Sequence, residues 1–432
     1  MECDLPPKTG TSFWRTSFHG VNALSGPMLS FSATSSQDLH LLDVVCSMCS
    51  GYTKGLRFAG FGILSIPYAV SQGGWLSMIL LLTIAVVCCY TGILLQRCMD
   101  SNSLVKTYPD IGEIAFGHKG RILVSVFLYL ELYLVATEFL ILEGDNMEKL
   151  FPRKSFVIAG LKIGGKQAFT LLGALVILPT TWLRSLDLLS YVSLGGVLAS
   201  LVVVASVLWA GAVDGVGFHE RGVLLNWTGI PTAVSLYAFC YSGHAVFPTI
   251  YVPMKDRRMF PMVLFITFTL CTLNYSLMAT IGYLMYGENL KSQITLNLQA
   301  GKLSSKIAIC TTLITPFVKY ALLVTPIACA IEDWLHVSKH RLISLVIRTG
   351  IVITTVAVAL SVPFFGYIVA LTGSFLSSTA TMVLPCVCYL KIFKNSRKWS
   401  HELLCIVAII VAGSVVAVTG TYASLKQIIQ HL

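Results

Sequence analysis

Charged residues are scarce in this sequence: Asp, Glu, Lys and Arg make up only 12% of its 432 residues, whereas hydrophobic residues make up 55%. A soluble fold does not need that much apolar surface. The shortage of charge therefore excludes a soluble domain and predicts a protein that crosses a membrane many times. The formal net charge of +10 does not indicate nucleic-acid binding, because the basic residues are scattered through short loops.

Motifs that carry enzymatic chemistry are also missing. The sequence has no glycine-rich phosphate loop, no nucleophile elbow and no metal-ligand cluster with usable spacing. A C-x-x-C pair, Cys46 and Cys49, lacks both a second ligand pair and a thioredoxin-like context. Most of the 13 cysteines lie in apolar runs and predict no disulfide framework. We therefore expect no enzyme, no metal and no cofactor, with an ion gradient as the energy source.

Long apolar runs alternate with short polar loops along the chain. Runs of about 16–26 residues are long enough to cross a hydrocarbon core of roughly 30 Å. The first predicted span consists of two halves, 13–26 and 60–72. Ten further apolar runs follow, so the sequence predicts an all-α membrane protein with about eleven transmembrane helices. Spans 2 to 11 are predicted over 75–97, 121–146, 168–183, 188–212, from 229, 260–285, 306–330, 343–362, 365–389 and 403–424.

Span 6 has an interruption in its middle. The stretch YAFCYSGHAVFPTIYVP at 237–253 begins as an apolar helix, reaches Ser242, Gly243 and His244, and continues with Pro248. Proline removes a backbone donor and glycine loosens a helix, so such a segment is tolerated in lipid only where it lines a cavity enclosed by protein. A proline-kinked helix with a satisfied histidine is the alternative.

A similar interruption occurs five spans earlier. Residues 13–26 end in small residues, and residues 60–72 begin with small residues followed by Pro67. Interruptions at matched positions indicate inverted repeats, in which half-helix N-termini face a bound carboxylate. Two unrelated kinks are the alternative. The predicted divisions are a cytoplasmic tail, a first repeat, a second repeat and an eleventh helix, at 1–12, 13–212, 229–390 and 403–424.

Six long motifs resemble the amino acid/auxin permease family, and within it the plant vacuolar amino-acid transporters with short N-termini. They are NALSG (22–26), FGILSIPYAVSQGGW (61–75), YTGILLQRCMD (90–100), TYPDIGEIAFG (107–117), ELYLVATEFLILEGDN (131–146) and CYSGHAVFPTIY (240–251). The resemblance covers nearly the whole chain. It implies a leucine-transporter-type 5+5 inverted repeat with broken helices 1 and 6, an eleventh helix, amino-acid transport coupled to protons, and a vacuolar rather than a plasma membrane.

The chain departs from this family pattern inside span 1. Relatives run NALSG directly into GILSIPYA, whereas this chain has an insert at about 27–60. The insert is serine-rich and carries charges such as Asp38 and Arg57, so it cannot cross a bilayer and must loop out to water. The alternative to a transporter is therefore a non-transporting or inactive product: a sensor, a scaffold or a retained-intron isoform.

Small and aromatic residues beside the two interruptions are the candidate substrate-binding groups. Backbone donors and small side chains in span 1 offer a floor for an amino-acid carboxylate, and close helix packing is the alternative. The groups in span 6 should line the same cavity. The candidates are Asn22, Ser25, Gly26, Gly62, Phe239, Tyr241, Ser242, Gly243 and Phe247.

Four ionisable residues within the spans are candidates for proton coupling. An unperturbed histidine titrates near neutral pH, so His244 suits proton transfer, although it also suits a neutral hydrogen-bonding role that fixes the break. Glu131 and Glu138 share one face of span 3 and are functional candidates, with pairing to another helix as the alternative. Lys319 in span 8 is, by analogy, a substitute for a structural sodium ion; its alternatives are snorkelling or pairing with either glutamate.

Further along span 3, Glu143 and Asp145 are expected to be solvated or structural. The basic loops predict the orientation: with a cytoplasmic N-terminus, the Lys/Arg clusters at 255–258 and 391–398 face the cytoplasm. The C-terminus is then lumenal, and Asn226 of an Asn-Trp-Thr triplet is a glycosylation candidate. The expected partners are an amino-acid substrate and the lipid bilayer, with no nucleic acid, and the chain is expected to be a monomer.

Overall fold

The described residues are helical almost throughout, apart from one short two-stranded hairpin, so the predicted all-α class is confirmed. The predicted first half of span 1, the insert, and residues Asn22, Ser25, Gly26, Cys46 and Cys49 lie outside the described residues. The computed structural model describes residues 62–102, 104–152, 155–158, 161–182, 189–254, 256–337, 340–393 and 401–431.

Seven helices in the described ranges are long and apolar enough to cross a membrane. They form spans 2, 3 and 7 to 11, at Ser77–Asp100, His118–Leu150, Arg257–Asn289, Leu303–Trp334, Arg341–Ser361, Phe365–Ile392 and His401–His431. The remaining membrane elements are the second half of span 1, spans 4 and 5 and the two halves of span 6, at Ile66–Gly73, Gly165–Thr181, Leu189–Ala212, Ile230–Cys240 and Phe247–Tyr251. Each span predicted within the described residues is thus present as helix.

The outside of the helical bundle is apolar. Val86, Val346 and Val418 are each 70% exposed, on three different spans. Large apolar side chains on an outer surface lower solubility in water, whereas in a bilayer they contact acyl chains. The protein is therefore a multi-pass membrane protein.

Two short elements were missed by the sequence prediction. A helix at Tyr108–Phe116 lies between spans 2 and 3, and Thr107 and Asp110 form a capping box at its start. The Thr-x-x-Asp spacing is a sequence signal for such a start. The hairpin pairs β1 (Ser155–Ile158) with β2 (Leu161–Gly164) in the basic loop after span 3.

Span 10 changes its helical type in the membrane. Its α-helix passes into π-helical turns at Thr372–Ser377 and Thr379–Val383 before α-helix resumes at Leu384–Ile392. Such turns are rare and often lie at functional sites. Span 10 packs here against the first half of span 6 and against span 3. A Cβ atom on Gly373 would lie 2.0 Å from the carbonyl oxygen of Ser235, so glycine is required for this approach of the two backbones.

Candidate functional site

Span 6 is interrupted where the sequence predicted it. Its first half ends at Cys240, Gly243 lies outside the helix, and a 3-10 turn at His244–Val246 leads into the second half. Pro248 lies in the first turn of that half, where a proline removes no helical hydrogen bond. The broken helix is therefore confirmed.

The described half of span 1 reaches this break. That half begins with a 3-10 turn, Gly62–Leu64, directly before the helix Ile66–Gly73. Gly62 is buried, and a Cβ atom on it would lie 2.9 Å from Cys240 Sγ and 3.6 Å from Cys240 Cα. Glycine is therefore needed for close packing, which was the alternative for this residue. Substrate binding by Gly62 stays a prediction.

A small cavity lies beside the described half of span 1, where that half meets spans 3, 5 and 8. It is lined in part by Ile63, Leu64 and Thr312, and its volume is about 10 Å³. That is room for about one water molecule.

Glu131 connects three spans at the break. Its Oε1 accepts hydrogen bonds from the Ser242 hydroxyl at 2.5 Å and from the Ser377 hydroxyl at 2.6 Å. Ser242 belongs to the break in span 6, Ser377 to the π-helical part of span 10, and Glu131 is only 5% exposed. A buried carboxylate is costly unless it is hydrogen-bonded, and these hydroxyls offset part of that cost. Tertiary structure thus joins two residues that the sequence identified separately.

Glu138 repeats this arrangement two turns further along span 3. Its Oε1 accepts a hydrogen bond from the Thr372 hydroxyl of span 10 at 2.7 Å. Its Oε2 is buried and has no hydrogen-bond partner among the described residues. The glutamates therefore share one face, as predicted, and span 10 supplies hydroxyl donors to both.

His244 contacts span 2 rather than span 3. Its Nε2 lies 2.9 Å from Thr91 Oγ1 and 3.1 Å from the carbonyl oxygen of Cys88. Because a carbonyl only accepts, Nε2 has to carry a proton to donate to Cys88, and in the neutral form of the ring Nδ1 is then the unprotonated nitrogen. That nitrogen is buried without a hydrogen-bond partner in the described part of the chain, and the ring packs 4.7 Å from the Phe247 ring.

The aromatic candidates lie on different sides of the break. Tyr241 and Phe247 both pack against Phe268 of span 7, with ring centroids 5.9 and 6.4 Å away. Phe239 instead faces span 10, since its Cβ would lie 2.9 Å from a Cβ atom on Gly373. The structure therefore groups Tyr241 with Phe247 and separates Phe239 from them.

The remaining charged candidates are also buried. Lys319 is 5% exposed in span 8, and its role in place of a structural ion stays a prediction. Glu143 is 1% exposed, so solvation of this residue was the wrong alternative: it packs against Gly173 of span 4. Asp145 forms an ion pair with Lys166, which makes it a structural rather than a freely solvated carboxylate.

Comparison with known proteins identifies the family. Residues 56–426 match the family described as transmembrane amino acid transporter protein. Amino acid transporter AVT1I of Arabidopsis thaliana is 52% identical over 373 residues, which are 86% of this chain and 92% of the relative. Amino acid transporter AVT1J of the same plant is 46% identical over 428 residues, 98% of this chain and 93% of the relative.

The family match and the described helices agree. The predicted resemblance to the amino acid/auxin permease family is confirmed by a match that covers most of the chain. Spans 2 to 10 and the described half of span 1 fall within the matched region, which ends inside span 11. The chain belongs to the transmembrane amino acid transporter protein family.

Proposed function

We propose that the protein is a secondary active transporter that moves amino acids across a membrane in exchange for, or together with, protons. The observation that carries the proposal is the contact of Glu131 with Ser242, which joins an intramembrane carboxyl group to the break in span 6. The family and the relatives named as amino acid transporters support the substrate class.

The break offers backbone groups for a zwitterion. In the 3-10 turn of span 6 the first hydrogen bond runs from the Val246 amide to the Gly243 carbonyl, at 3.0 Å. The backbone amides that precede this hydrogen bond have no acceptor within the turn, so they are suited to donate to the carboxylate of an amino acid. Carbonyls at the end of the preceding half-helix are suited to the ammonium group. Tyr241 and Phe247 supply an apolar wall for the substrate side chain.

Glu131 is the best placed residue to couple protons to this site. Two hydroxyls donate to one of its oxygens, which suits the charged, acceptor-only carboxylate. Protonation of Oε1 converts this acceptor oxygen into a hydroxyl that donates and so displaces one of the two serine hydroxyls, which allows Ser242 to turn toward the substrate. Glu138 is a second proton carrier on the same face. His244, whose Nδ1 is buried without a hydrogen-bond partner among the described residues, is the other candidate for proton coupling.

We infer a vacuolar membrane, a cytoplasmic N-terminus, a lumenal C-terminus and a monomeric chain. Arg97 at the end of span 2 pairs with Glu402 at the start of span 11, at 2.5 Å, which supports the predicted alternation of the spans. Asn226 lies beside the opposite end of the bundle, where its backbone N–H donates to the Gly73 carbonyl at 3.1 Å. A glycan on Asn226 would therefore be lumenal.

The test is flux into proteoliposomes that contain the purified chain. A panel of radiolabelled amino acids is offered with and without a pH gradient. We expect saturable uptake of part of the panel and faster uptake with the gradient. Saturable uptake at the same rate with and without the gradient would refute proton coupling. If proteoliposomes that contain folded protein took up no amino acid, transport would be refuted.

A further inference from the structure

A second, larger cavity lies at the end of the bundle where span 3 ends and span 4 begins. Its volume is about 330 Å³, which is within the usual range of small-molecule sites, about 300–1,000 Å³. Tyr68 of span 1 contributes to its wall, six residues or about 9 Å along the chain from Gly62. The lining contains none of the residues that contact Glu131, so this cavity is distinct from the break in span 6.

The charged side chains that line the cavity are two lysines and one aspartate. Asp145 is satisfied on both oxygens, because Oδ1 pairs with Lys166 and Oδ2 accepts from Gln293 at 2.9 Å. Lys166 also donates to the carbonyl oxygen of Pro363 at 2.6 Å. Lys291 lines the same cavity, is exposed, and has no ion-pair partner in the described ranges. One positive charge is therefore available for an anionic ligand.

The rest of the wall suits an apolar or aromatic group. Phe364, Phe365 and Tyr367 at the start of span 10 line the cavity together with Tyr68. A Cβ atom on Gly366 would lie 3.3 Å from Tyr68 Cε1, so spans 1 and 10 meet here in close contact. A ligand with a carboxylate and an apolar side chain therefore matches both the charge and the wall.

We propose that this cavity is an outer binding site for the transported amino acid, in which Lys291 holds the α-carboxylate and the aromatic wall holds the side chain. The inference rests on the proposed transport function. Because Tyr68 belongs to the same half-helix as Gly62, movement of span 1 would alter both sites together.

The test is equilibrium binding to the full chain in lipid nanodiscs, with tritiated L-leucine and tritiated L-glutamine as probes. For a probe that the wild type transports, we expect two bound molecules per chain. Lys291→Ala should weaken one site about tenfold or more, as expected for loss of a charge-assisted hydrogen bond, and Lys291→Arg should preserve it. Lys302→Ala is the matched control, since Lys302 is an exposed lysine of the same loop outside the cavity.

The outcomes separate this site from the proposed function. A wild type that transports a probe but binds one molecule, with binding unchanged in Lys291→Ala, overturns the outer site and leaves transport standing. If the wild type transports neither probe, the same binding test is made with the amino acid of the panel that it transports fastest. A folded wild type that transports no amino acid overturns the proposed function and this inference together.

Discussion

One oxygen atom, Oε1 of Glu131 in span 3, accepts hydrogen bonds from the side chains of two other spans. The two hydroxyl donors, Ser242 and Ser377, come from the break in span 6 and from the π-helical part of span 10. A change of charge on this carboxyl group alters hydrogen bonding on two neighbouring spans at once. This is why a single proton at Glu131 is suited to change the shape of the site.

Glu131→Gln should uncouple transport from the pH gradient. Glutamine has nearly the same shape and keeps a carbonyl oxygen that accepts the two hydroxyls, but it does not take up a proton. We expect amino-acid exchange to persist while stimulation by the gradient falls to near zero in proteoliposomes. Glu113→Gln is the control, because Glu113 is an exposed glutamate paired with Arg121 at the surface. Full gradient stimulation in Glu131→Gln would contradict the role of Glu131.

His244→Gln should leave the pH dependence of transport intact. The glutamine amide is able to donate to the Cys88 carbonyl in place of Nε2 and so preserves the conformation of the break. We expect a moderate loss of rate with unchanged gradient stimulation in the same flux assay. Loss of gradient stimulation with uptake otherwise intact would transfer proton coupling from Glu131 to His244.

At the scale of the element, span 10 is the helix on which the candidate site depends. Its π-helical turns carry Thr372 and Ser377 to the two glutamates of span 3, and Gly373 places its backbone against Ser235. A regular α-helix of the same sequence would rotate these hydroxyls relative to one another, because a π-turn inserts residues between successive turns. The π-helical turns therefore place the hydroxyls of span 10 toward the two glutamates.

Gly373→Ala should destabilise the protein. The added Cβ would lie 2.0 Å from the Ser235 carbonyl oxygen, a backbone atom that cannot move aside cheaply. Overpacking of this kind costs about 1–3 kcal/mol. We expect a lower melting temperature of the purified protein in detergent. Gly350→Ala in span 9 is the control, since a Cβ there meets no described atom within 4 Å, and it should be neutral or slightly stabilising.

Spans 4, 8 and 9 are connected by a buried ion pair. Arg348 Nε lies 3.3 Å from Glu332 Oε1, its guanidinium donates to the Thr181 carbonyl at 2.8 Å, and both charged side chains are 3% exposed. Arg348→Ala should therefore cost about 3–5 kcal/mol of unfolding free energy, because Glu332 remains buried without its counter-charge. Arg97→Ala removes an exposed pair and should cost at most about 1 kcal/mol. Equal melting temperatures for the two variants would contradict this expectation.

At the scale of the whole molecule, the two predicted alternatives, a transporter and a non-transporting product, differ in the role of residues 27–60. These residues separate the two predicted halves of span 1, and a polar segment has to reach water rather than lipid. The family match begins at residue 56, near the end of this segment.

Deletion of residues 27–60 should increase transport per molecule. The deletion joins NALSG to the described half of span 1 and restores the family pattern. We expect higher flux in proteoliposomes than for the full chain, with equal amounts of folded protein verified by size-exclusion chromatography. Equal flux would mean that the insert is accommodated, and lower flux would mean that it contributes to the fold.

The positions of spans 2 to 11 were determined by the sequence alone, since the length and apolarity of each run are local properties that a bilayer selects directly. The break in span 6 was also predictable, because Gly243 loosens a helix and Pro248 is favoured in the first turn of a new one. Tertiary structure alone decided which groups meet: the contact of Glu131 with Ser377, the turn of His244 toward span 2 and the cavity beside Lys291. Each depends on how separate spans pack, and helix periodicity carries no information about which neighbour a given face will meet.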